Sequence, residues 1–283
     1  MPGVDAGVWR SRPFEIKVLL VASVAFDKYE GLGNDFIVVA TDDERAFGAP
    51  FARRACDRHF GIGADGVLLV LPPRDAAHAA RMKVINADGS VPEMCGNGLR
   101  CIALHVARAR RLERGELRIE TDSGDRACEI AGDQVTVDMG IVTVGGPREL
   151  HVDGETVSPT LADAGNPHAI LFGDFSRARI EALGPHIATH AAFFTGTNVE
   201  FAEVVDGAVD LVVWERGVGI TMACGTGACA TAAVACAAGL VPYDAPVDVR
   251  LPGGTLSITI HRETGRATMR GPARHVFGGV YDF

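Results

Sequence analysis

Two stretches of this chain echo each other. "EMCGNGLRCIALHVA" at 93–107 and "MACGTGACATAAVA" at 222–235 both read Cys-Gly-x-Gly and then a helix-like run. Cys95 and Cys224 lie 129 positions apart, and the echo continues upstream. At the same offset Asn86 maps onto Glu215, each closing a strand-like segment nine residues before its Cys. At an offset of 132, Gly66 of "GADGV" maps onto Asn198 of "GTNVE", and Asn34 of "GND" onto Asn166 of "GNP". Landmarks kept in order at nearly constant spacing mark an internal duplication. Such a chain is expected to form two similar domains, related by a pseudo-two-fold axis and facing each other across a cleft.

The periodicity within each copy points to α+β layers. Strands are expected at 36–40, 67–71, 81–86, 117–121, 134–139, 168–172, 199–204, 209–215, 247–251 and 256–261, where apolar residues alternate or cluster. Helices are expected at 50–59, 98–111, 175–187 and 226–239. The last, "TGACATAAVACAAG", is almost entirely small and apolar, so it should be buried on every side. "GGPREL" at 145–150 is the best hinge between the copies.

Composition narrows the setting. With 283 residues there is room for one large domain or two ordinary ones. A net charge of −9 argues against a nucleic-acid or anionic-membrane partner. No apolar run approaches the roughly 18–20 residues needed to cross a membrane. "VLLVASVA" at 18–25, behind Arg10, Arg12 and Lys17, imitates a signal peptide weakly and reads equally well as a first strand. The seven cysteines are an odd number with no disulfide framework, which suits a reduced intracellular compartment.

Each Cys-Gly-x-Gly places a thiol at a helix start, where the first backbone N–H groups lack partners and the dipole is positive. That position should lower the thiol pKa, and the same N–H groups can hold a carboxylate. Two such units face to face would set one thiol on each side of a bound anion. One thiol would take a proton from a carbon and the other would deliver one to the opposite face. The chain has only three lysines and none is marked as a Schiff-base former, so a cofactor-free route is expected. No Cys-x-x-Cys pair exists, so neither a structural metal nor a redox dithiol is expected. "CGTGACAT" lacks the lysine of a phosphate-binding loop.

The other candidates keep two readings each. Cys56, Cys101, Cys128, Cys229 and Cys236 read as packing residues. Asn34, Asn86, Asn166 and Asn198 are turn formers or substrate ligands. Glu215 and Arg216 form a surface ion pair, or hold an ammonium and a carboxylate. His168 is structural or tunes a nearby thiol.

Seven motifs in order carry a resemblance to a known family: "GLGNDF" 31–36, "GIGADG" 61–66, "NADGS…EMCGNGLRC" 86–101, "GNPH" 165–168, "TNVEF" 197–201, "ERGVG" 215–219 and "ACGTGACA" 223–230. Together with "LPGG" 251–254 and "RGPARHVF" 270–277, they resemble diaminopimelate epimerases from about residue 25 to the C-terminus. The resemblance implies that Cys95 and Cys224 are the catalytic thiols. It makes Gly96, Asn97, Gly225 and Thr226 the helix starts that grip the reacting carboxylate. Asn34, Asn86, Asn166, Asn198, Glu215 and Arg216 would bind substrate, and His168 and Glu215 would modulate thiol pKa.

The implied fold is two pseudo-symmetric domains, each a mostly antiparallel sheet wrapped around a central helix, with the active site in the cleft between them. The halves would span 23–140, completed by a C-terminal strand at 271–283, and 141–270, behind an N-terminal extension, 1–22. The implied protein is a cytoplasmic homodimer acting on a small amino-acid substrate in lysine and peptidoglycan precursor synthesis, without cofactor or metal. Two positions depart from the family pattern: Gly66 stands where a substrate-binding Gln occurs, and Ile220 where Glu is common. A racemase of another amino acid, or a non-catalytic thiol or amino-acid-binding protein, is the alternative.

Overall fold

The computed structural model describes residues 23–92 and 95–283. The first copy runs β1 (Ser23–Gly31), β2 (Asn34–Ala40), α1 (Ala49–Ala55), β3 (Gly66–Leu71), β4 (Ala80–Asn86), α2 (Gly96–Ala109), β5 (Arg114–Glu120), β6 (Arg126–Ala131) and β7 (Gln134–Ile141). The second runs β8 (Thr143–Pro147), β9 (Leu150–Val152), β10 (Glu155–Val157), β11 (Thr160–Asp163), β12 (Pro167–Phe172), α3 (Arg177–Ala188), β13 (Asn198–Val205), β14 (Ala208–Glu215), β15 (Gly219–Ile220), α4 (Gly225–Ala237), β16 (Val247–Leu251), β17 (Gly254–Ile260) and β18 (Arg266–Pro272). The last strand, β19 (Arg274–Asp282), returns to pair antiparallel with β1.

Strand register reproduces the sequence offsets. Phe36 pairs with Gly66 across parallel β2 and β3, and His168 with Asn198 across parallel β12 and β13. Ala80 pairs with Ile119 across β4 and β5, and Val209 with Val249 across β14 and β16. The remaining ladders are antiparallel, and β7 pairs with β18 to join the two copies. The α+β expectation holds, with mostly antiparallel sheets around central helices.

Alternation along the strands explains the layers. In β2, Phe36 and Val38 face the main core, which contains Leu99, Ile102, Ala103 and Val106 of α2. Ile37 and Val39 face the opposite side and meet Phe51 of α1. In the second copy Ile170 and Ala202 join the main core around α4, while Val199 and Phe201 meet Ile180, Leu183 and Ile187 of α3. Strands of both copies form one continuous 17-stranded sheet, and each copy's part of it has an inner helix on one face and an outer helix on the other.

α4 is buried from Gly225 to Cys236, as its composition requires. Its small side chains let the surrounding strands approach the backbone. Both inner helices end alike. Leu112 N–H bonds Ala107 O at 2.8 Å, and Leu240 N–H bonds Ala235 O at 2.9 Å. These are Schellman closures, reached through positive φ at Arg111 and Gly239.

Several local expectations change. α1 ends at Ala55 rather than 59, because Asp57 Oδ1 accepts the N–H groups of His59 and Phe60 and turns the chain. The hinge expected at 145–150 is instead ordered backbone: Thr143–Pro147 forms β8, which pairs with β11. Of the stretch 18–25, residues 18–22 lie outside the described residues, and Ser23–Ala25 open β1. No helix among the described residues is long and apolar enough to cross a membrane.

The encasement of α4 sets an expected outcome. Ala230→Leu adds three carbons at a position with no exposure and should destabilise by about 1–3 kcal/mol or more. Urea unfolding measures it; an unchanged midpoint would mean that α4 is not encased.

Candidate active site

The two inner helices begin side by side in the interior. Cys95 and Cys224 are their N-caps, both in extended backbone conformation. Cys95 Sγ accepts the Gly98 N–H at 3.3 Å, and Cys224 Sγ accepts the Gly227 N–H at 3.3 Å. A sulfur thus fills the place usually taken by a Ser or Asp oxygen. Thr226 Oγ1 lies 3.5 Å from Cys224 Sγ.

Asn97 ties the two starts together. Its buried Nδ2 donates to Asn34 Oδ1 at 3.1 Å and to the carbonyl of Ala223, the residue before Cys224, also at 3.1 Å. Repeat mates Met139 and Met269 pack against the helix starts: a Cβ on Gly96 would stand 2.8 Å from Met139 Cε and 2.9 Å from Met269 Cε. A Cβ on Gly225 would stand 3.1 Å from Met269 Sδ and 3.6 Å from Asn97 Oδ1. Glycine at 96 and 225 is therefore a matter of close approach.

The hairpin turn at Leu32 and Gly33, both with positive φ, lies over this region. A Cβ on Gly253 would come within 1.8 Å of Leu32 O, so the first copy's turn sits directly on the second copy's backbone.

The other predicted residues fall around the helix starts. Asn34 Nδ2 donates to Asp65 Oδ2 at 2.7 Å. Asn198 Oδ1 accepts the Arg216 N–H at 2.8 Å. Arg216 donates from its guanidinium to Thr195 O at 3.0 Å. Glu215 Oε1 accepts from Thr221 Oγ1 at 2.5 Å. Asn166 Oδ1 lies 2.9 Å from His168 Nε2, and His168 Nδ1 lies 2.6 Å from Glu200 Oε1. Asn86 donates to Ser90 Oγ at 2.9 Å, so here its side chain serves the local turn. Among the described residues no ion pair joins Glu215 to Arg216.

Two features escaped the sequence reading. Glu200 is fully buried against His168, and its signal was an acid set directly between Val199 and Phe201 in β13. Asp65 collects Asn34, the Asp35 N–H and Arg58, and was assigned no role from the sequence.

The expected lowering of thiol pKa is corrected. Burial pushes Cys95 up to about 11, and Glu215 adds to the rise against the Gly98 N–H. Burial, then Glu215 and Glu200, raise Cys224 well above its ordinary value. Burial likewise raises Glu215 itself. The helix-start N–H groups pull the right way but are outweighed by desolvation and nearby carboxylates.

Gly66 is fixed by space: a Cβ there would stand 2.9 Å from Ile85 O. Ile220 pairs with Trp214 at the end of β14. Among the described residues no group of three or more His, Cys, Asp or Glu is arranged to hold a metal ion.

The sequence matches the diaminopimelate epimerase family over residues 26–145 and 160–276. This chain belongs to that family. It is 42% identical over 280 residues to a diaminopimelate epimerase of Microcystis aeruginosa, covering 91% of this chain and 99% of the relative. It is 43% identical to one from Desulforudis audaxviator, covering 90% and 98%. Among solved structures, a probable proline racemase from Agrobacterium radiobacter superposes with a TM-score of 0.74 at 14% identity, over 90% of this chain and 92% of that one. That likeness is of fold.

The corrected acidity has a measurable form. Burial raises the pKa of all seven thiols. A pH titration of the native chain, followed by thiolate ultraviolet absorbance, should show no step below about pH 9, and unfolding should restore one near about 8.5. A native step near neutrality would contradict the burial argument.

Proposed function

We propose that this protein is an isomerase that interconverts LL- and meso-2,6-diaminopimelate, with Cys95 and Cys224 as the two bases. The observation that carries the reading is the pair of thiol-capped helix starts, brought together by Asn97 in a chain of this family. In each turnover one sulfur, as thiolate, takes the α-proton. The other, as thiol, delivers its proton to the opposite face of the carbon. The N–H groups at Gly96–Asn97 and Gly225–Thr226 hold the reacting carboxylate and stabilise the charge that develops on it. No cofactor or metal is invoked.

Glu215 explains how protonated thiols become competent. Burial is the larger cause of the raised thiols, and the Glu215 carboxylate adds to the rise of both. A substrate ammonium beside Glu215 would cancel that repulsion and bring a positive charge within reach of both sulfurs, so substrate binding itself favours thiolate. Asn34, Asn166, Asn198 and Arg216 are assigned to substrate binding on the same reading, Asn86 after release from Ser90, and His168 to modulation of thiol pKa. The halves are assigned as 23–140 with the closing strand 271–283, and 141–270. A cytoplasmic homodimer is the assembly proposed.

A racemase of another amino acid is the second reading, favoured by Gly66, which offers no side chain to a distal substrate group. Incubation with LL-diaminopimelate in heavy water separates the two. The expected result is meso product carrying deuterium at one α-carbon. Exchange with a different amino acid alone would favour the second reading, and no exchange with any would refute both. Cys95→Ala and Cys224→Ala should each lower turnover by about a thousandfold or more, the loss of a group at the reacting atoms. Cys56→Ala should keep it, and full activity in either of the first two overturns the two-base assignment.

A further inference from the structure

The shared register lets the surroundings of the two thiols be compared residue by residue. Phe36 in the first copy occupies the position of His168 in the second. At the same offset of 132, Leu68 occupies the position of Glu200. A Cβ on Gly98 would stand 2.9 Å from Leu68 Cδ2 and 3.1 Å from Cys95 Sγ. A Cβ on Gly227 would stand 2.8 Å from Glu200 Oε1 and 3.2 Å from Cys224 Sγ. The two side chains therefore lie under the same turn of matching helices, each beside its thiol. One half sets hydrocarbon there and the other a carboxylate on an imidazole.

Packing does not account for the difference. Leu68 shows that the architecture is satisfied by hydrocarbon at this position. Glu200 is fully buried, and its Oε2 has no hydrogen-bond partner among the described residues. Such a group costs stability. Its other oxygen is 2.6 Å from His168 Nδ1, and His168 Nε2 is 2.9 Å from Asn166 Oδ1. The carboxylate, rather than the imidazole, touches the first turn of α4.

The charges around the two sulfurs differ: both share Glu215, and Cys224 has a second carboxylate where Cys95 has a guanidinium. Cys224 faces Glu200 from β13 and Glu215 from the end of β14, with His168 on β12 behind Glu200. From α2 and β18, Asn97 bonds the carbonyl of Ala223 and Met269 packs on Gly225, while the buried Arg100 of α2 touches Met269 and acts on Cys229 further along α4. Asp65 acts on Glu215 from the first copy. Cys95 shares Glu215 but also has the fully buried Arg100 on its own helix. At the helix offset of 129, Arg100 corresponds to Cys229, so the second copy supplies no such cation from its own inner helix.

We propose that Glu200, held on His168, is a positioning residue that makes the two thiols inequivalent, so that Cys224 keeps its proton to higher pH than Cys95 and Cys95 is the first to become thiolate. The consequence for turnover rests on the two-thiol reading above; the inequivalence itself does not.

The test is alkylation of the native protein by iodoacetamide across about pH 7 to 11, a range spanning ordinary and raised thiols, with each cysteine followed by peptide mass spectrometry. In the parent, the rate at Cys95 should level off at lower pH than the rate at Cys224. Glu200→Gln keeps the shape and removes the charge. At a fixed pH it should speed alkylation of Cys224 about tenfold, one pKa unit, and leave Cys95 unchanged. His168→Phe with Glu200→Leu writes the first copy's residues into the second and should speed Cys224 in the same way. Should that double variant fail to fold by circular dichroism, Glu200→Gln decides alone.

Equal acceleration at both thiols, no acceleration at Cys224, or a parent in which Cys224 levels off first would each overturn the proposal. Failure of deuterium exchange in the parent would refute the proposed function and leave the alkylation result standing.

Discussion

A helix start cannot be buried with its first amide hydrogens unanswered. Both inner helices begin in the interior, and the rest of the site follows from how that demand is met. At each start a sulfur takes one N–H, and glycine leaves the neighbouring backbone open to close approach. Asn97 then uses both its hydrogens to fasten one start to the other. Two positive helix ends held together in this way are a place for an anion, and the capping atoms are also the atoms able to exchange protons. On the proposed function, capping, substrate binding and chemistry draw on the same few groups.

Much of this was legible in the sequence because duplication leaves its record in spacing. The repeat of Cys95 at Cys224 located both helix caps, and the offsets at Asn34, Asn86 and Gly66 anticipated the strand register. The small-residue run of α4 announced its burial. What could not be read was balance between opposed effects. The helix start argued for acidic thiols, but burial and Glu215 win, and neither depends on residues next to the cysteines in the chain. Glu200 was invisible for a related reason. Its meaning lies in which face of β13 it occupies and in a partner 32 positions away.

Family membership and fold likeness speak at different depths. Relatives at 42% identity extend over nine-tenths of the chain, which shows the family. A neighbour at 14% identity shares the architecture while bearing the name of a proline racemase. At that identity the likeness is of architecture alone.

The pairing of β19 with β1 brings residues 23 and 282 into register. The strand that opens the described chain therefore waits for the strand that ends it. During synthesis the first copy emerges first, yet its β1 edge stays open until β19 has followed the whole second copy. Such long-range closures slow folding. A duplicated chain that looks like two modules in series is, in order of assembly, one unit fastened through β1 and β19.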